Sequence, residues 1–146
     1  MSVTSSAFQE GGAIPEKFSK NGQNVSPELR VNGAPAEAKS LALIVDDPDA
    51  PVGLFTHWLV WNIDPKTTEL GEGNAPSDGI QGKNDFGEMG YGGPRPPSGT
   101  HRYYFKVFAL NAKLDLKAGA RRRDVDAAMK GHVIAQGQLM GRYSKK

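Results

Sequence analysis

The amino-acid sequence predicts a mainly β protein, a sandwich of two antiparallel sheets with one or two short helices at its periphery. Two observations carry that prediction. Gly (18) and Pro (10) are frequent and fall mostly outside the apolar runs, which suits many short strands joined by turns better than a helical bundle. Three segments also read as strands, by apolar composition or by two-residue alternation. A hydrophobic content of 38% against 23% charged residues suits a packed core rather than disorder, and 146 residues is the length of one domain.

The elements follow in order. The first thirty residues read as turns, punctuated by Gly11-Gly12, Pro15, Asn21-Gly22 and Pro27. A short strand is expected from Glu28 to Val31, ended by Asn32-Gly33. Ser40 to Val45 is almost wholly apolar, as a strand buried on both faces would be. Thr56 to Ile63 is rich in aromatic and branched residues. Arg102 to Leu110 alternates, with Tyr103, Phe105, Val107 and Ala109 on one face. The long stretch between the last two strands is crowded with Gly, Pro, Asn and Asp, and a short strand near Ile80-Gln81 would break it up. Asp124 is placed to cap a helix running to about Lys130, with Gly131 as its stop. The tail from His132 to Tyr143 contains two glycines and is read as a strand.

Charge and composition exclude several functions. The net charge is +2, and the basic clusters Arg121-Arg122-Arg123 and Lys145-Lys146 have no aromatic partners, so a nucleic-acid partner is not expected. Without cysteine there is no disulfide, thiolate nucleophile or cysteine metal site. Met1 to Gly12 has neither a basic start nor an apolar core, and the longest apolar run is Leu41 to Val45. A cytoplasmic protein without stable membrane insertion is expected.

Three polar clusters adjoin the strong strands. Asp46-Asp47-Pro48-Asp49-Ala50-Pro51 is expected to leave its strand in a proline-stiffened turn, with Asp47 continuing the parity of Leu41, Leu43 and Val45. His57 falls on the parity of Phe55, Leu59 and Trp61, while His101 and Tyr103 share that of Phe105. Each cluster has an ordinary structural reading, since aspartates build turns, a strand tyrosine is core by default, and a lone histidine is more often hydrogen-bonded framework. His132 keeps that reading, as a helix-terminal or surface residue. Gly90-Tyr91-Gly92-Gly93-Pro94 is no dinucleotide fingerprint, because proline follows it instead of a helix.

Together, Asp47-Pro48-Asp49-Ala50-Pro51, His57-Trp58-Leu59-Val60-Trp61-Asn62, Gly93-Pro94 and His101-Arg102-Tyr103 resemble the phosphatidylethanolamine-binding family, most closely its bacterial and archaeal Raf-kinase-inhibitor-like branch. The resemblance spans nearly the whole chain and implies one domain over residues 1–146, a Greek-key β-sandwich with a small anion pocket. It implies a ligand-binding wall of Asp47, His57, Gly93, Pro94, His101 and Tyr103, with Asp49, Pro51 and Arg102 as structural supports. It also implies a cis Ala50–Pro51 bond, a homodimer, and a regulatory or inhibitor-like role with a kinase or protease as partner.

The chemistry agrees with a small phosphate-bearing or other anionic ligand. A phosphate needs donors, which a turn N–H, a phenolic hydroxyl and imidazole N–H groups supply. A histidine pair would make such a site tunable by pH, and Asp47 would orient a histidine or accept from an ammonium group. No catalytic residue, metal or cofactor is expected. Two alternatives stay open: a hydrolytic enzyme, or a metal site built from Asp47, His57 and His101.

Overall fold

The strands that the sequence marks most clearly form the centre of the protein. The computed structural model describes residues 1–146. The elements are β1 (Ser2–Thr4), β2 (Leu29–Asn32), β3 (Ser40–Ala50), β4 (Gly53–Ile63), β5 (Glu69–Leu70), β6 (Ile80–Gln81), β7 (Thr100–Leu110), α1 (Arg122–Met129) and β8 (Val133–Ser144), with a 3-10 turn at Glu16–Phe18. They make two antiparallel sheets, β1-β2-β5 and β6-β4-β3-β7-β8. The chain leaving β4 visits the small sheet as β5, and β7 returns beside β3 rather than β4.

β3 is central in the five-stranded sheet, which explains its apolar composition on both faces. Leu41, Leu43 and Val45 face the small sheet, in a core with Val3, Leu29, Val31, Trp58, Val60, Phe105 and Leu139. Ala42 and Ile44 face the other way, onto Leu59, Trp61, Leu110, Leu114 and the α1 residues Val125 and Met129. The molecule therefore has three layers, with the long sheet in the middle. No helix is long and apolar enough to cross a membrane.

Several local expectations need correction. Asp46 to Ala50 do not turn away from β3. The strand continues through them, with an irregularity in register between Asp47 and Ala50. No peptide bond is cis, so the Ala50–Pro51 bond is trans. Ala50 pairs with Gly53 across the reversal, and Gly53 adopts φ 102, so a glycine supplies the left-handed conformation that the turn requires. The helix begins at Arg122, ahead of Asp124. Asp124 is its third residue, and its carboxylate accepts the Arg121 N–H at 3.1 Å. The earlier start is favoured by Arg122 itself, which binds Asp126 one turn on at 3.0 Å. Gly131, at φ 82, ends the helical segment as expected.

β1 was read as turn and is a strand, held by pairing Val3 with Val31. The chain that follows it covers part of the long sheet's edge. Gly11 N–H donates to the Met140 carbonyl, and Ile14 N–H and Arg142 N–H exchange bonds with Arg142 and Gly12 carbonyls.

Candidate functional site

A cavity of about 290 Å³ opens where β3 ends and β4 and β7 begin. Asp47, His57, His101 and Tyr103 meet there, joined by Ala50, Pro51, Val52, Phe55, Phe86, Arg95, Pro96 and Pro97. The four predicted polar residues are all buried, in spite of three being ionisable near neutrality or below.

His57 reaches this wall through an irregularity in β4. Val45 pairs with Trp58 and Asp46 with Thr56, so His57 is an extra residue with no partner on β3. The bulge resets the alternation. His57 stands with Phe55 on the cavity side, whereas Leu59 and Trp61 belong to the helix-side layer, contrary to the parity expected from sequence. The imidazole packs at centroid distances of 5.0 Å from Phe55, 5.3 Å from Phe86 and 5.2 Å from Tyr103. Its Nδ1–H donates to the Gly92 carbonyl at 2.7 Å, and the Gly92 N–H donates to the His57 carbonyl at 2.9 Å.

Asp47 is hydrogen-bonded to His101. Its Oδ2 accepts the His101 Nδ1–H at 2.6 Å, and its Oδ1 accepts the Asp49 N–H at 2.7 Å. Asp49 and Arg102 pair with each other outside the cavity lining. The guanidinium binds both carboxylate oxygens, Nε to Oδ2 at 2.9 Å and Nη2 to Oδ1 at 2.8 Å, while Arg102 N–H also donates to Oδ2. This fork ties the end of β3 to the start of β7. It holds the Asp49 carboxyl down to about 2, with the Arg102 hydrogen bond as the largest cause. His132 is outside the cavity, with Nδ1 bonded to Asn111 Oδ1 at 2.8 Å.

Two expected donors change character. Gly93 and Pro94 do not line the cavity. Gly93 N–H donates to Asn24 Oδ1 at 2.7 Å, and the Pro94 carbonyl accepts from Lys20 N–H at 3.0 Å. Gly93 is needed for a close approach, but to the chain's own backbone: a Cβ there would lie 2.2 Å from the Phe18 carbonyl oxygen. His57 differs as well. Burial is the main reason that its pKa lies below the ordinary value, so the neutral ring is favoured.

Tyr103 keeps its place in the cavity wall. Its hydroxyl is sealed from solvent and meets no hydrogen-bond partner within the protein. Burial first, and then the nearby Asp47 carboxylate, push its pKa upward, so it remains a neutral O–H. Arg95, an exposed residue, is also part of the lining.

Sequence reasoning missed Phe86 and Arg95, both on the long loop before β7. Asn84, fully buried, shapes that loop: Oδ1 accepts from Phe86 and Glu88 N–H, and Nδ2 donates to the Gly90 carbonyl. Asp85 Oδ2 accepts Thr56 N–H at 2.7 Å and locks the loop to β4. The only sequence signal was an Asn-Asp pair before Phe-Gly, which marks a turn without saying where its aromatic ring goes.

Residues 4–144 match the family model described as phosphatidylethanolamine-binding protein. The chain is 48% identical to a UPF0098 protein of Methanothermobacter thermautotrophicus, over 99% of each chain. Among solved structures it superposes on the phosphatidylethanolamine-binding protein homologue CT736 of Chlamydia trachomatis with a TM-score of 0.94 and 44% identity, covering 99% of this chain and 97% of that one. Escherichia coli YbcL, described as a member of the mammalian PEBP family, superposes with a TM-score of 0.93 at 33% identity, covering 99% and 98%.

Proposed function

The chain belongs to the phosphatidylethanolamine-binding protein family, and from that premise we propose that its cavity binds a phosphate group, or a similar small anion, carried on an organic residue. The observation that carries this reading is a cavity in which Asp47 holds the His101 ring in place beside Tyr103 and Arg95. With Nδ1 committed to Asp47, the His101 ring is oriented and Nε2 is left for a ligand. The apolar remainder of the lining, from Val52, Phe55, Phe86, Pro96 and Pro97, suits the organic part of the molecule.

Binding without turnover fits this lining, which contains no Ser, Thr, Cys or Lys side chain to serve as a nucleophile. One observation favours a second reading. A carboxylate bonded to imidazole Nδ1, as in Asp47–His101, is the arrangement of a general base, so water activated at His101 could hydrolyse a bound ester.

An NMR titration with O-phosphoethanolamine tests the first reading. Shifts should cluster at Asp47, His57, Arg95, His101 and Tyr103, with affinity in the millimolar to high-micromolar range, about −4 to −6 kcal/mol. His101→Phe, which removes the imidazole from the wall, should weaken binding about tenfold. Shifts confined to Arg121–Arg123 would overturn the assignment, and release of inorganic phosphate during the titration would favour hydrolysis.

A further inference from the structure

β8 is an outer strand of the long sheet, and its free edge is only half used. Against β7 it keeps one regular register from Ser144 back to Ala135. On its other side the Met140 carbonyl accepts Gly11 N–H at 2.7 Å, and Met140 N–H donates to Glu10 Oε1 at 3.1 Å. Arg142 N–H donates to the Gly12 carbonyl at 2.8 Å, and the Arg142 carbonyl accepts Ile14 N–H at 2.7 Å. Both backbone groups of one strand residue point to the same side, and successive residues alternate. Gln138 and Gln136 therefore turn theirs away from β7 as Met140 and Arg142 do. No segment of the chain follows the edge that far, so the N–H and C=O of both glutamines lack a partner within the protein.

The other edges are short: β5 and β6 have two residues each and β1 has three. Sheets normally protect a long edge with lysine, proline or a covering segment. From Val133 to Gly141 there is neither a charged residue nor a proline, and the cover stops at Met140. Val133 and Ile134, at the start of the strand, are exposed aliphatic residues. Such an edge is a template for another extended strand.

We propose that two copies of this chain pair through it, β8 against β8, with the two-fold axis at Gly137. Gln136 of one copy then lies opposite Gln138 of the other and exchanges two hydrogen bonds with it, and the reciprocal pair does the same. Every open group on both edges is used, and the two five-stranded sheets become one. The missing charge favours this occupant, because a copy of the strand brings no like charge to the axis. The contact is isologous and closes at two copies. The next pair would set Ile134 against the second copy's Met140, which Gly11 and Glu10 already hold, so the ladder ends there. Ile134 is also the residue that β7 leaves unpaired, opposite the step from Ala109 to Leu110, and a bulge of that kind bends a strand. The bend takes the chain past the second copy's Gly11. No residue of the cavity takes part, so this surface stands or falls separately from the anion reading.

Sedimentation velocity and amide exchange on the full chain test it together. From ~5 to ~500 µM, the range of a small interface, a monomer should give way to a dimer. Over that range the Gln136 and Gln138 amides should slow in exchange by about tenfold or more, while that of Arg142, bonded within the chain, stays constant. Gln136→Pro removes one outward N–H, leaves the bonds to β7 alone, and should keep the protein monomeric. Gln136→Lys keeps every backbone group and should weaken the dimer about tenfold by placing two like charges beside the axis. The lysine variant decides the matter if the proline variant fails to fold. A protein still monomeric at ~500 µM would overturn the proposal. So would a dimer in which the Gln136 and Gln138 amides exchange as fast as in the monomer, since that dimer uses another surface.

Discussion

Asp46 and Asp47, consecutive on β3, send their carboxylates through opposite faces of one sheet to different kinds of partner. Asp47 meets His101 and the backbone at the cavity. Asp46, with no solvent exposure, meets Lys106 Nζ at 3.0 Å and Arg122 Nη1 at 2.9 Å on the helix side, and so ties α1 to the sheet. The first pair positions a cavity-facing group, whereas the second fastens two layers.

Substitution should separate these two roles. Asp46→Asn removes the buried carboxylate shared by the half-buried Arg122 and Lys106, although Arg122 keeps Asp126, and should cost roughly 1–3 kcal/mol in urea unfolding. Its ligand affinity, measured well below the melting temperature, should be unchanged. Asp47→Asn should reverse the pattern. Affinity should fall by about tenfold because His101 loses its orienting carboxylate, with the smaller effect on stability.

Acid should weaken the fold through His57. In the unfolded chain the imidazole returns to its ordinary value of 6.5, while burial in the native protein holds it lower. The unfolded state thus binds the proton first, and the contribution of His57 to stability is lost as pH falls below about 6.5 toward the native value. Urea unfolding from pH ~7.5 down to ~5 should show this decline, and His57→Phe should reduce its slope. Nitrogen-15 NMR should find the Nδ1–H tautomer throughout the upper part of that range.

Asp49 should titrate in the opposite sense. Its native carboxyl, held near 2 by Arg102 against an ordinary 3.8, binds protons less readily than in the unfolded chain. The resulting stabilisation is fully present above the ordinary value and is lost as pH falls through about 2. Arg102→Lys removes the two-pronged contact, so carbon-13 NMR of Asp49 Cγ should show its midpoint moving up toward the ordinary value.

Gly93→Ala should damage the fold rather than the ligand wall alone. The added methyl would meet the Phe18 carbonyl at 2.2 Å, where no flexible side chain can give way. A loss of roughly 1–3 kcal/mol or more is expected in thermal unfolding. An unchanged melting temperature would show that the 3-10 turn carrying Phe18 yields freely.

Much of this architecture was legible because β3 and β7 obey simple rules. An apolar run predicted a central strand, and two-residue alternation placed Asp47, His101 and Tyr103 on the inner face. The same rule misassigned the neighbours of His57, since alternation cannot report an unpaired residue within a strand. Gly93 is expected at the ligand wall, but nothing local in the sequence says that the Phe18 backbone is what approaches it. Phe86 and Arg95 depend on the path of a long loop, which Asn84 fixes through contacts that only the folded chain displays. β1 escaped notice because three residues hold too little pattern, and pairing with β2 makes the strand.

The bulge at His57 gives the cavity a dependence on arithmetic as well as on chemistry. Removing one residue between Phe55 and Trp58 would make the pairing regular at that point, while the irregularities between Leu41 and Leu43 and between Asp47 and Ala50 would remain. The cavity would then lose the His57 ring. β4 therefore behaves like a message with a deliberate phase slip: the letters on either side can be respelled, but the count between them cannot be shortened.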